Sequence, residues 1–413
     1  MIFQISNEWA WRSCANCSKP LSTWQCDACS PSESKSIPEY TPGDVGITYY
    51  CSLDCLEIDR LQHEPHCELR RKRQRLYRAA EVFQFVLLAY RECIFDMDIT
   101  RIDYRDGELR LHRLRPSASP RLPFGPFPPL MDSVILRMAT LASGQCGTML
   151  ALLGRLSEFL LSGTASSTEI VNLVIRRPNF RTRLVTGPLF PAFSAVSEKY
   201  FHTVLKVRLR NHDNSITEDW ILDPAGCQYG FTEVMMPYEK YLRTRDASLA
   251  CTPSMYHSPD HLCHWTEATD LAYRQFLLCY GNANPNQGNV RANTTRRRSV
   301  EKMLIERNIR AHYATFIHER FFTRDVLANV TEKAALLVGT DEKCMRERHR
   351  LTDHLIWHMR QFFEATVESY VNNGDDVSSL ESGEIHEEPA FDGLYGNMLE
   401  SLPKCGNEAV NGD

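Results

Sequence analysis

The 413-residue chain lacks an apolar run long enough to span a lipid bilayer. Its longest apolar stretch, around residues 82–90, is about half of the roughly 20 residues that a membrane helix needs. The opening segment, MIFQISNEWAWRSC, also lacks the basic and apolar regions of a secretory leader. These absences predict a cytoplasmic or nuclear protein that does not use the membrane as a partner.

Neither sign of charge dominates the chain, whose formal net charge is -5. Residues 375–413 carry ten Asp or Glu against one Lys, so the rest of the chain has a small positive excess. An excess of this size does not indicate nucleic-acid binding. Because the acidic segment is rich in Gly, Ser and Asn, we expect residues 372–413 to form a disordered tail.

Cysteine, by contrast, is abundant, and seven of the 15 cysteines lie between Cys14 and Cys67. In a chain without a recognisable leader, such clustering indicates metal ligation rather than disulfides. The full pattern is C-x2-C-x8-C-x2-C-x21-C-x3-C-x7-H-x3-C. Eight ligands satisfy two tetrahedral Zn2+ ions. The predicted ligands are Cys14, Cys17, Cys26, Cys29, Cys51, Cys55, His63 and Cys67.

His66 competes with His63 for the last pair of ligands. Because residues four apart share one face of a helix, His63 can reach the same ion as Cys67. The adjacent His66 points in a different direction, so we predict that it is a surface residue. A site filled by four protein ligands leaves no open position, so we expect the zinc to stabilise this small segment rather than to catalyse.

Residues 14–67, including YYCSLDC and HEPHC, resemble the MYND zinc finger. The resemblance implies two interleaved ions, the first held by Cys14, Cys17, Cys51 and Cys55. It implies that the second ion is held by Cys26, Cys29, His63 and Cys67. It also implies a protein-interaction module whose partner is a protein or a peptide, often one that contains proline. Leu56 and Arg60 stand where the family usually has Gln and Trp.

A connecting helix and a hairpin are predicted between the finger and the next domain. Apolar residues recur every three to four positions from Leu69 to Ile94, which is typical of one buried helix face. Asp106-Gly107 separates two strand-like segments, and this dipeptide is a strong signal for a two-residue hairpin turn. We therefore assign residues 68–130 to this connection.

A cysteine, a histidine and an aspartate are predicted to meet in the following segment. Cys146 lies just after Gly144, in the first turn of a predicted helix, where unpaired amides favour a thiolate. Three strand-like segments follow, at residues 167–177, 200–210 and 218–223. If the last two form a hairpin, Asp223 comes close enough to orient His202. This combination matches activated-cysteine chemistry.

The sequences GQC, HTVLKV and WILDPAG, at residues 144–146, 202–207 and 220–226, resemble transglutaminase-like and arylamine N-acetyltransferase-like proteins of the papain fold. The resemblance implies that Cys146 is a nucleophile, His202 its base and Asp223 the residue that orients the base. The alternative is a buried cysteine and a satisfied histidine in a scaffold kept for binding.

The last third of the chain is predicted to be helical, because residues 299–321 and 340–371 show helical periodicity. Several potential metal ligands also cluster in residues 251–264, but their spacing fits no standard ligand pattern, so ordinary loop residues are the favoured interpretation. They are Cys251, His257, His261, Cys263 and His264.

The sequence thus predicts an α+β protein with a MYND-type finger at residues 14–67 and a papain/transglutaminase-like core at residues 131–250. A helical subdomain at residues 251–371 would follow. The favoured function is zinc-stabilised protein interaction of a regulatory kind. Because the predicted zinc sites are closed, catalysis by the metal is not expected. The alternative is a thiol enzyme for acyl transfer or amide chemistry.

Overall fold

A computed structural model describes the main elements of the chain. The described residues are 13–20, 22–26, 48–93, 95, 99–113, 127, 133–186, 200–256 and 333–373. Cys29, the predicted helix at 299–321 and the predicted tail from residue 374 onward lie outside these ranges. Among the described helices, none is both long and apolar enough to cross a membrane.

The segment predicted to be a finger, residues 14–67 and called the finger below, contains a short strand pair and the start of a long helix. Strands β1 (Trp24–Gln25) and β2 (Tyr49–Tyr50) pair in antiparallel fashion. Helix α1 then runs from Leu53 to Cys93. Its first turn is capped by Ser52, whose hydroxyl accepts a hydrogen bond from the backbone N–H of Cys55 at 3.2 Å.

Helix α1 joins the finger to the core without a break. The predicted boundary between the finger and the connecting segment, at residue 67, therefore falls inside this helix, which also carries His63 and Cys67. Beyond Leu69 the apolar face is buried, with Leu76, Phe83 and Tyr90 all fully covered. The same helix thus carries candidate metal ligands at one end and packs the main core at the other.

An antiparallel sheet of six strands forms the centre of the protein. The strands are β5 (Ser167–Ile175), β7 (Tyr200–Arg210), β8 (Thr217–Leu222), β9 (Met235–Pro237), β10 (Ala247–Leu249) and β11 (Ser254–Met255). Their order in the sheet is β10-β5-β7-β8-β9, and β11 also pairs with β5. Because β11 follows residue 250, the sheet extends into the segment that the sequence assigns to the helical subdomain.

Both faces of this sheet are covered. Helices α1, α3 (Cys146–Leu152) and α4 (Gly154–Leu161) contribute to the core on one face. Helix α5 (Tyr238–Thr244) contributes Tyr241 to the core on the other face. Neighbouring strand residues alternate between the two cores, as the period of two requires.

The predicted hairpin is confirmed, and a third strand extends it. Strands β3 (Ile99–Arg105) and β4 (Glu108–Arg113) pair around Asp106 and Gly107, whose φ values are 53° and 70°. Strand β6 (Arg181–Thr186) pairs in parallel with β4. The hairpin is therefore part of a three-stranded sheet rather than a simple connection, and helix α2 (Val134–Ala142) packs in the same core.

Two C-terminal helices pack against α1. Helices α6 (Lys333–Leu337) and α7 (Asp341–Asn373) contribute apolar side chains to the main core, and α7 confirms the predicted helix at 340–371. Arg78 of α1 donates hydrogen bonds to the carbonyl oxygens of Leu337 and Gly339 at 3.2 and 2.8 Å. The mixed α+β class predicted from the sequence is confirmed.

Candidate functional site

The finger brings two groups of potential metal ligands together. The ligand atoms of each group lie within 4.8 Å of one another. The first group is Cys14, Cys17, Cys51 and Cys55. The second is Cys26, His63 and Cys67. This grouping is the interleaved one that the sequence resemblance implies, except that Cys29 lies outside the described residues.

Backbone pairing explains why distant cysteines meet in the first group. The N–H of Ala15, inside the first C-x2-C turn, donates to the carbonyl oxygen of Tyr49 at 2.9 Å. That contact places the turn beside Cys51, which directly follows β2. Cys55 lies four residues later, on the first turn of α1, and therefore faces the same point.

The sulfur atoms of the first group are too far apart for disulfides. Sγ of Cys51 lies 3.5 Å from both Cys17 and Cys55, and Cys55 lies 3.8 Å from Cys17. A disulfide needs an S–S distance of about 2.05 Å. None of the four cysteines of this group forms a disulfide.

Crowding makes full ionisation of the first group unfavourable without a cation. Burial alone would raise the pKa of Cys14, but backbone hydrogen bonds from Cys17 and Cys51 help to lower it to about 6. Hydrogen bonds with Cys17 and Cys55 raise the pKa of Cys51 to about 12. Neighbouring thiolates repel one another, so a bound metal ion would stabilise the fully ionised group.

The choice between the two histidines follows the helix geometry. His63 lies one turn before Cys67 on α1 and belongs to the second group, together with Cys26. Sγ of Cys26 lies 4.0 Å from Sγ of Cys67. His66 is exposed and lies outside the group, as the sequence predicts.

The predicted cysteine, histidine and aspartate also meet. Cys146 is the first residue of α3, His202 lies on β7, and Asp223 directly follows β8. Strands β7 and β8 form the predicted hairpin, in which Leu205 pairs with Leu222. The thiol of Cys146 and the ring of His202 interact electrostatically, and each shifts the pKa of the other.

The end of β8 creates the space for this arrangement. His202 pairs with Leu173 of β5 on one side, but pairing with β8 on the other side ends at Leu205. Helix α3 contacts β7 in this region. As a result, the backbone of Thr203 lies close enough to the thiol of Cys146 to help lower its pKa.

Asp223 holds the histidine ring from the opposite side. Its Oδ1 lies 2.7 Å from Nε2 of His202, and both residues are 1% exposed. The hydroxyl of Tyr241 donates to the other carboxylate oxygen, Oδ2, at 2.7 Å. A Cβ atom on Gly226 would collide with this carboxylate, so glycine is needed for the close approach.

The electrostatics of the site favour a thiolate beside an imidazolium. Burial would raise the pKa of Cys146, but the hydrogen bond and charge of His202 outweigh it and place the pKa below its ordinary value. Burial would likewise lower the pKa of His202, but the charge and hydrogen bond of Asp223 raise it to about 10. Cys146 itself is half-buried.

Sequence reasoning missed two residues that complete the site. Tyr241 binds Asp223, and Gln228 places Nε2 at 3.2 Å from Nδ1 of His202. Gln228 belongs to a short 3-10 helix, Gly226–Tyr229. Its proximity to Asp223 in the DPAGCQYG segment was an available signal, but no rule of spacing specifies that its side chain turns toward the histidine.

The neighbouring Cys227 is chemically unlike Cys146. It is 4% exposed, and burial followed by the charge of Asp223 raises the pKa of its thiol. Cys251, from the predicted histidine-rich loop, is exposed and accepts a hydrogen bond from Asn172 at 3.4 Å. The other potential ligands of that loop lie outside the described residues.

Comparison with known proteins does not assign the chain to a family. No protein-family model, curated protein or solved structure matches it at a significant level. Its function is therefore inferred from the geometry of its own residues.

Proposed function

We propose that the protein carries out cysteine-dependent acyl transfer or amide hydrolysis with Cys146 as the nucleophile. The observation that supports this most directly is the 2.7 Å contact between the buried side chains of His202 and Asp223, because the same ring interacts electrostatically with the Cys146 thiol. A nucleophile, a base and a residue that orients the base form the minimal set for this chemistry.

In the proposed reaction, His202 takes the proton of the Cys146 thiol on Nδ1 while Asp223 holds Nε2–H. The thiolate attacks a carbonyl carbon, and the carbonyl electron pair moves to the oxygen. Collapse of the tetrahedral intermediate expels an amine or alcohol, which takes the proton back from Nδ1. Water or an amine then attacks the thioester and regenerates the thiol.

The test is the pH dependence of alkylation by iodoacetamide, measured for each cysteine by mass spectrometry. Because the pKa of Cys146 is lowered, its labelling should reach half-maximal rate below about pH 8.5, the ordinary value for a free thiol. Replacing His202 with glutamine should move this midpoint upward. Cys227 serves as the internal control and should remain unlabelled in the folded protein, because it is buried and its pKa is raised.

An ordinary midpoint for Cys146, unchanged in His202→Gln, would contradict the proposed chemistry. The protein would then be a scaffold in which the same three residues serve only to stabilise the fold.

We further propose that the two ligand groups of the finger hold Zn2+. Four sulfur ligands at about 2.3 Å around a tetrahedral ion have Sγ–Sγ separations of about 3.8 Å. The separations among Cys17, Cys51 and Cys55 are 3.5 to 3.8 Å, close to this value. Cys29 would supply the fourth ligand of the second ion. Closed sites of this kind stabilise the fold and leave catalysis to other residues.

A second candidate function is binding of a protein partner through the finger. Its supporting observation is an apolar surface on the first turns of α1, where Leu53, Ile58 and Leu61 are 52%, 67% and 81% exposed. Exposed apolar side chains that cluster on one element are typical of interaction sites. The MYND resemblance also implies a protein or peptide partner.

Substitution of Ile58 and Leu61 by aspartate should abolish partner capture by the full chain while both metal ions remain bound. Leu249→Asp is the control, because Leu249 is also exposed, at 46%, but lies on β10. Affinity purification followed by mass spectrometry measures the difference. Partners that are retained by Ile58→Asp/Leu61→Asp, or lost equally from the control, would rule out this surface as the binding site.

A further inference from the structure

We propose that Gln228 is a positioning residue that links the turn before Cys146 to the proton on the His202 ring, an inference that rests on the proposed thiol chemistry. Gln228 is 5% exposed, and its side-chain amide contacts both Gly144 and His202. Oε1 accepts a hydrogen bond from the backbone N–H of Gly144 at 3.1 Å. Nε2 lies 3.2 Å from Nδ1 of His202.

The contact with Gly144 fixes which end of the amide faces the histidine. A backbone N–H can only donate, so the atom of Gln228 that meets Gly144 must be the oxygen. The NH2 group is then directed at Nδ1. Because an amide NH2 is also only a donor, this contact is favourable when Nδ1 is unprotonated and accepts.

Proton transfer from Cys146 reverses that preference. Once Nδ1 carries the proton, two donors face each other, and the amide must rotate or withdraw. Rotation would give Oε1 to the imidazolium but would release the N–H of Gly144, two residues before the nucleophile. Gln228 thus favours the neutral thiol and imidazole, and it opposes the influence of Asp223, which favours the ion pair.

Other groups around His202 do not replace this interaction. Asp223 occupies Nε2, Tyr241 binds the far oxygen of Asp223, and the ring of Tyr229 packs edge-on against the histidine at 5.1 Å between centroids. Gln228 faces Nδ1, the ring nitrogen that Asp223 does not occupy, and Cys146 on α3 interacts electrostatically with the same ring. The charge of Asp223 also reaches Cys227.

The test compares the alkylation midpoint of Cys146 in the full-length wild type and in Gln228→Met. Methionine has a similar length and no donor, so the neutral state loses one hydrogen bond. The midpoint should fall by about 0.5 to 1 pH unit, the equivalent of one ordinary hydrogen bond. Thr182→Val is the matched control. It removes the 2.9 Å hydrogen bond to the backbone oxygen of Gln228 but leaves the amide in place, so the midpoint should not move.

A midpoint in Gln228→Met that equals or exceeds the wild-type value would overturn this role of Gln228. The proposed chemistry would survive if His202→Gln still raised the midpoint, and would fail if it did not. Should Gln228→Met not fold, Gln228→Glu decides the question, because its carboxylate can still accept from Gly144. The His202 ring, followed by nitrogen NMR, should then stay doubly protonated to a higher pH, and an unchanged titration would overturn the inference.

Discussion

Replacing Cys51 with serine is expected to release a metal ion and to unfold the finger while the core stays folded. Cys51 lies 3.5 Å from the thiols of Cys17 and Cys55, which are themselves candidate ligands, so the described group offers no fifth ligand to replace it. Structural zinc contributes about 10 to 16 kcal/mol to the folding of small zinc-finger peptides, which far exceeds what so small a segment gains from apolar burial. Loss of one ion should therefore unfold residues 14–67.

Helix α1 determines where this unfolding stops. Its residues from Leu69 onward are held by the main core, whereas Leu53, Ile58 and Leu61 are exposed. In hydrogen exchange, amides of the first turns should lose protection in Cys51→Ser, and those of the buried part of α1 should keep it. Elemental analysis should find two zinc ions per wild-type chain.

The two histidines of the finger provide the matched control. His63→Ala should lose the second ion, because its ring belongs to the group with Cys26 and Cys67. His66→Ala should keep both ions, since His66 is exposed and lies outside the group. One zinc in the wild type, or a finger that stays protected after chelation, would contradict the assignment.

Local patterns allowed much of this arrangement to be predicted from the sequence. Ligand pairs with two or three intervening residues define their own geometry, so the grouping of Cys51 with Cys55 and of His63 with Cys67 followed from spacing. The β7–β8 hairpin was predicted for the same reason, because a polar turn fixes the register that brings Asp223 toward His202.

Contacts between distant segments could not be predicted in this way. The parallel pairing of β6 with β4 joins residues about 70 positions apart and has no local signal. Helix α1 is one continuous helix from Leu53 to Cys93 and includes Pro65, whereas the sequence placed the connecting helix only from about Leu69 onward. The contacts of Gln228 and Tyr241 depend on side-chain directions that only the assembled sheet and loops define.

Gly226→Ala is expected to reduce the reactivity of Cys146, although Cys146 itself is unchanged in this variant. The new Cβ would collide with the carboxylate of Asp223, which must then move away from His202. Asp223 raises the pKa of His202, so its displacement should lower that pKa and reduce the fraction of imidazolium. The pKa of Cys146, which His202 lowers, should then rise. Misplacement of a catalytic group by about 1 Å can cost on the order of a hundredfold in rate, and we expect a loss of this order in Cys146 alkylation at pH 6.

Gly147→Ala is the matched control for this effect. Gly147 directly follows the nucleophile, but a Cβ there meets no atom within 4 Å, and its position in α3 favours alanine over glycine. This variant should keep the wild-type alkylation rate and match or slightly exceed its stability. If Gly226→Ala labels as fast as Gly147→Ala across the pH range, Asp223 does not control the reactivity of Cys146, and the histidine alone would have to account for it.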